Sequence, residues 1–135
     1  MSYIVTGGCG FIGSNFVNYL ASTTDKDIIV FDKLTYAADK RYINEGLIKN
    51  DRVRILEIDI SQEQQTIFDV FEHNEIDGVF NLAAESHVDR SITGPAVFVE
   101  SNIVGTYNIL ESCRQFGVKR YLQVSTDEVY GSLTE

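Results

Sequence analysis

Thr6-Gly7-Gly8-Cys9-Gly10-Phe11-Ile12-Gly13 follows a short apolar run that ends at Thr6 and leads into an amphipathic stretch that starts at Phe11. Glycines at 7, 10 and 13 permit a tight turn, a close approach of the backbone to a pyrophosphate, and close packing of a helix on a strand. The start of that helix also presents unpaired N–H donors to anionic oxygens. A glycine-rich turn without a ligand is the plain alternative. The place of the loop, after a first strand and at the mouth of a first helix, favours a bound dinucleotide.

Outward from this loop, short apolar runs alternate with longer amphipathic stretches, which is the mark of βαβ units around a parallel sheet. Strands are predicted at Tyr3 to Thr6, Asp27 to Phe31, Val53 to Ile58, Gly78 to Leu82 and Arg120 to Val124. Helices are predicted at Phe11 to Ser22, more weakly at Arg41 to Ile48, at Gln62 to His73, and from Pro95 to Phe116. Ser61 and Gln64 have capping-box spacing at the start of the third. Pro95 suits the first turn of the fourth and Gly117 its stop. The fold class is α/β: a Rossmann-type doubly wound parallel sheet, truncated after about the fifth strand. Residues 1–135 read as one incomplete Rossmann domain, with no substrate domain in the chain.

Composition narrows the partners. Among 135 residues, 44% are hydrophobic and 23% charged, and ten glycines face a single proline, as in a soluble globular domain. A formal net charge of -9 argues against nucleic acid as a partner. Cys9 and Cys113 are too few and too far apart for a disulfide framework or a metal site, so both read as small buried residues in a reducing cytoplasm. No window approaches a membrane span.

Candidate ligand contacts cluster at carboxyl ends of strands. Asp32, about twenty residues beyond the glycine loop, can accept both hydroxyls of an adenosine ribose, which favours NAD over NADP; Lys33 and Arg41 could offset a 2′-phosphate. An Asp at a strand end can also be a turn or cap residue. Asp59 and Ala83-Ala84 lie where a ligand would cross the sheet. His73, at a helix end, reads as a partner of the helix dipole or solvent. Ser125 and Glu128 again have capping-box spacing and could simply start a helix. Tyr36 and Lys40 have Tyr-x-x-x-Lys spacing, but directly after the second strand they would sit beside the adenosine end, and a solvated helix start accounts for them.

Taken together, the G-x-x-G-x-x-G loop, Phe31-Asp32-Lys33-Leu34-Thr35-Tyr36-Ala37, Ala83-Ala84-Glu85-Ser86-His87-Val88-Asp89-Arg90-Ser91 and Thr126-Asp127-Glu128-Val129-Tyr130-Gly131 resemble the dTDP-glucose 4,6-dehydratases of the extended short-chain dehydrogenase family. The resemblance spans the whole chain and the amino-terminal part of such an enzyme. It implies an NAD site of Gly7, Gly10, Phe11, Ile12, Gly13, Asp32, Lys33, Leu34, Thr35, Asp59, Ile60, Leu82, Ala83, Ala84 and Ser101. It implies sugar-nucleotide contacts at Ser86, His87 and Asp89, with Glu85 to Arg90 divided between cofactor and substrate. The implied reaction oxidises glucose C4, removes water across C5 and C6, and returns the hydride to C6. Glu128 takes the C5 proton, Asp127 protonates the departing O6, and Thr126 hydrogen-bonds the C4 oxygen. Opposite roles for adjacent carboxyls require different environments, with the acid kept protonated by burial or by its neighbour's charge.

In the family the catalytic Tyr-x-x-x-Lys and most of the sugar-nucleotide pocket come later in the chain, and a four-helix bundle forms a homodimer. These residues alone are therefore expected to bind NAD weakly and not to turn over. A UDP-glucuronate decarboxylase, a UDP-sugar 4-epimerase and a non-catalytic dinucleotide-binding module remain as alternative readings.

Overall fold

Ile28-Ile29-Val30-Phe31 and Ile4-Val5 offer apolar side chains to both faces of a strand, the pattern of a parallel sheet covered on two sides. In the computed structural model, which describes residues 1–85 and 88–132 and only the backbone of Val88 and Asp89, these runs form the centre of one sheet. Its strands are β1 (Ser2–Thr6), β2 (Asp27–Asp32), β3 (Val53–Glu57), β4 (Ile76–Asn81) and β5 (Tyr121–Gln123). All pairs are parallel, and the order is β3-β2-β1-β4-β5. Thr6 stands level with Phe31 on one side and Asn81 on the other. The chain runs outward from β1 to β3 and then returns to the free edge of β1. A crevice therefore opens between the carboxyl ends of β1 and β4.

Two cores cover the two faces. Val5, Ile28, Val30 and Val53 pack with Val17 and Leu20 of α1 (Phe11–Thr23). Ile4, Ile29, Phe31 and Val79 pack with Ile67 and Phe71 of α3 (Gln64–His73) and with Ile109 and Cys113 of α6 (Gly105–Gln115). Cys9 and Cys113 are buried free thiols, as the sequence predicts.

Differences from expectation lie at helix ends. The weak helix over Arg41 to Ile48 is a 3-10 turn, Lys40–Tyr42, followed by a single-turn α2 (Glu45–Lys49). Asn44 interrupts it by capping α2 through a bond from Gly46 N to its own Oδ1. The Ser61–Gln64 capping box does not form. Ser61 Oγ donates to Asp59 Oδ1 at 2.6 Å, and Gln64 Nε2 donates to Asn108 Oδ1 at 3.2 Å. Glu63 instead reaches back to accept from Asp59 N at 2.7 Å. A short α4 (Val88–Thr93) precedes the long helix, which comprises α5 (Pro95–Phe98), a π-helical segment (Val99–Val104) and α6. The wide turns end where Gly105 meets the segment after β3: a Cβ on it would lie 2.7 Å from Ile60 Cγ1. No helix among the described residues is long and apolar enough to cross a membrane.

Candidate functional site

The glycine loop is shaped by its neighbours. Gly7 has φ +66°, and a Cβ there would lie 2.9 Å from the Ala83 backbone, so only glycine lets the loop pass so close to the end of β4. A Cβ on Gly13 would fall 2.0 Å from Gly7 O, so helix and loop could not close together. At Gly10 the added atom would meet only Gly7 O, at 3.4 Å, and would stand in the open crevice. Gly10 is the residue before the first turn of α1, whose N–H groups face the same crevice without intrahelical partners.

Asp32 ends β2 and is 8% exposed. Its Oδ2 accepts from Cys9 N at 2.9 Å and its Oδ1 from Leu34 N at 2.8 Å. The carboxylate thus holds the glycine loop against β2 and also makes the turn that a strand-end Asp can make. Each oxygen keeps a lone pair for a further donor.

A cavity of about 350 Å³ runs along this edge of the sheet. It is lined by Gly7, Gly10, Phe11, Ile12, Gly13, Asp32, Lys33, Thr35, Asp59, Ile60, Leu82, Ala83, Ala84 and Ser101, all expected from the sequence. Leu34 is the exception among the described candidates. It takes φ +56°, and its side chain packs into the α1-side core. Phe31, Ala37, Ala38, Ile58 and Val124 line the cavity without a sequence signal that marks them, because they are ordinary apolar or small residues brought in by register. Ser101 Oγ, in the π segment, accepts from Lys33 Nζ at 3.3 Å. Ser86 and His87 lie outside the described residues, and of Asp89 only its place in α4 is described.

A second cavity, of about 230 Å³, shares Ala83, Ala84 and Val124 with the first and is lined further by Ser125 and Thr126. Beneath it Asn81, fully buried, donates to Tyr121 Oη at 3.0 Å and to Gln123 Oε1 at 2.9 Å, and accepts from Thr6 Oγ1. Thr6 Oγ1 also accepts from Ala83 N at 3.0 Å. This network fixes the turn after β4 to the end of β1.

Asp127 and Glu128 begin a 3-10 turn, Asp127–Tyr130, with Thr126 at its cap position, so the Ser125–Glu128 capping box is not the arrangement adopted. Both carboxyls are exposed, so burial does not distinguish them in this chain. Hydrogen bonding does: the Glu128 carboxylate is held below its ordinary range by its own backbone N–H, then by the side chains of Thr126 and Asp127. That favours an ionised Glu128. Tyr36 and Lys40 do not pair. Lys40 does begin an exposed 3-10 turn, whereas Tyr36 lies in an exposed turn ahead of it, with its hydroxyl donating to Glu85 Oε1 at 2.7 Å. His73 Nδ1 contacts Asp69 O at 2.7 Å in the last turn of α3.

A parallel sheet of this order, with a glycine loop and an acidic strand end bordering one crevice, defines a Rossmann-type protein of the short-chain dehydrogenase class, and the donor set fits a dinucleotide. The chain belongs to the GDP-mannose 4,6 dehydratase family, whose model matches residues 4–135. A dTDP-glucose 4,6-dehydratase of Escherichia coli is 45% identical over 142 residues, covering 98% of this chain and 39% of that protein. A solved dTDP-glucose 4,6-dehydratase from Streptomyces venezuelae with NAD bound is similar at TM-score 0.89 and 40% identity, covering 100% of this chain and 42% of the other. A UDP-glucose 4-epimerase from Thermotoga maritima with UDP-glucose has TM-score 0.87 and 30% identity, with 100% and 41% covered. The chain spans about two fifths of the length of the curated relatives it matches.

Proposed function

We propose that residues 1–135 are the NAD-binding Rossmann domain, incomplete, of a dTDP-glucose 4,6-dehydratase. The observation that carries the reading is one continuous border: the glycine loop, the Asp32 carboxylate and the Ala83-Ala84 turn line one cavity, which adjoins the cavity lined by Thr126. The first turn of α1 holds the pyrophosphate, Asp32 accepts the ribose hydroxyls, and the negative charge there disfavours a 2′-phosphate. NAD, when bound, would supply the hydride acceptor for sugar C4 and the hydride returned to C6, while the tyrosine of the further chain takes the O4 proton. Glu128, ionised, removes the C5 proton made acidic by the neighbouring ketone. Asp127 delivers a proton to O6 as water leaves, and Thr126 donates to the C4 oxygen. Ser86, His87 and Asp89 contact the sugar nucleotide. The complete protein is a cytoplasmic homodimer whose Tyr-x-x-x-Lys pair lies in further chain.

Calorimetry on the 135-residue chain tests the reading: NAD binds, NADP binds more weakly, and Asp32→Ala removes the preference. No turnover accompanies binding. Water loss from dTDP-glucose by this chain alone would overturn the assignment of the proton-transfer pair to further residues. The similarity to 4-epimerases supports a second reading, which the carboxyl pair separates. In the longer enzyme, Asp127→Asn with Glu128→Gln abolishes a product lighter by one water if the protein is a dehydratase, and leaves epimerisation intact if it is an epimerase.

A further inference from the structure

The hydroxyl of Tyr36 ties together the two loops that border the proposed NAD groove. Tyr36 belongs to the loop after β2 and Glu85 to the loop after β4, yet Tyr36 Oη donates to Glu85 Oε1 at 2.7 Å. Thr35, Ala37 and Ala38 line one rim of the groove, while Ala83, Ala84 and Glu85 line the other. The bond therefore joins rim to rim. The Arg90 guanidinium lies 3.6 Å from the centroid of the Tyr36 ring and holds the ring in place from α4.

Glu85 is a firm anchor. It is 8% exposed, and Asn102 clamps its backbone twice, accepting from Glu85 N at 2.8 Å and donating to Glu85 O at 2.9 Å. Ser101, the adjacent residue in the π segment, accepts from Lys33 on the first rim. Tyr36, Glu85, Asn102, Ser101 and Lys33 thus make a closed circuit of contacts around the groove. Glu85 and Ser101 are buried, but Tyr36 is 58% exposed, so its side chain can swing outward without opening the core, while Leu34 and Ala38 on either side of it stay packed there. Tyr36 is the link that opens at least cost.

We propose that Tyr36 is a positioning residue that closes this circuit over the groove and sets the residence time of the dinucleotide. The inference rests on the reading of the groove as an NAD site. The hydrogen bond to Glu85 raises the Tyr36 phenol above its ordinary pKa, so it stays a donor throughout the neutral range.

Surface plasmon resonance on the immobilised chain, with NAD as the probe, tests the circuit. Tyr36→Phe keeps the ring over Arg90 and removes the one donor. NAD dissociation is expected to become about tenfold faster, the scale of one hydrogen bond to a charged acceptor, with the association rate and melting temperature close to the parent's. In a Glu85→Ala background, which removes the acceptor, the same substitution should change dissociation by less than about twofold, because the two residues act through one bond. An unchanged dissociation rate in Tyr36→Phe, or an equal effect in both backgrounds, overturns the proposal. Failure of the parent chain to bind NAD overturns the reading of the groove and the circuit with it.

Discussion

Cys9 sits inside the glycine loop with its thiol fully buried, and burial, reinforced by the Asp32 carboxylate, pushes its pKa up to about 12. Burial alone raises Cys113 to about 11. Both values lie above the ordinary 9.0, so the folded chain holds these protons more tightly than the unfolded chain does. The resulting stability is whole below pH 9.0 and is lost as pH rises through the folded values, by at most about 1.4 kcal/mol per thiol for each pH unit. Urea midpoints measured across this alkaline range should fall accordingly, and iodoacetamide at neutral pH should label neither thiol until the chain is unfolded. Burial of the two cysteines was legible in their isolation and residue type. The bond from Cys9 N to Asp32 was not, because it joins positions 23 residues apart. Leu34 shows the same limit: nothing local signals the left-handed backbone that turns its side chain into the core.

The five strands were legible within one or two residues, since a run that is apolar on both faces has few other places to go. The ends of the longer helices fell as close, but how they are capped was not legible. Caps depend on single bonds, such as Glu63 to Asp59 N, that compete with equally good local spacings. The π segment had no local signature; just after it, tertiary contacts fix the helix, where Gly105 rests on Ile60 and Asn108 Nδ2 donates to Ile60 O at 2.7 Å. Gly105→Ala tests that contact. The new methyl must displace the end of the Ile60 side chain, at a cost of about 1–3 kcal/mol in urea denaturation, the usual scale of overpacking. Because Ile60 also lines the proposed NAD groove, NAD affinity in calorimetry should weaken in parallel. Of the candidate site, the glycine loop and Asp32 could be read from chemistry and spacing, whereas Thr126 to Glu128 needed the resemblance.

At the scale of the molecule, apolar surface remains exposed along one side of the long helix. Ile103, Tyr107 and Leu110 follow helical spacing and are 63%, 58% and 45% exposed. Leu122 on β5 is 52% exposed. Such surface favours self-association, while the net charge of -9 opposes it. Sedimentation velocity should therefore show a mass that rises with protein concentration and with added salt, which screens the repulsion. Ile103→Glu with Leu110→Glu should return the chain to a monomer. The strand order has a consequence for synthesis of the chain. β1 is made first but lies at the centre, and its second neighbour begins only at Ile76. At ribosomal speeds of ~5–20 residues per second, one side of β1 waits about 4–14 s for β4 after Thr6 is made. Within that interval β2 and then β3 can join the sheet as each is made, while the other side of Ser2–Thr6 carries an unfilled row of backbone donors and acceptors. The nascent chain's most vulnerable period for mispairing, and for capture by a holding chaperone, ends with the arrival of Ile76–Asn81.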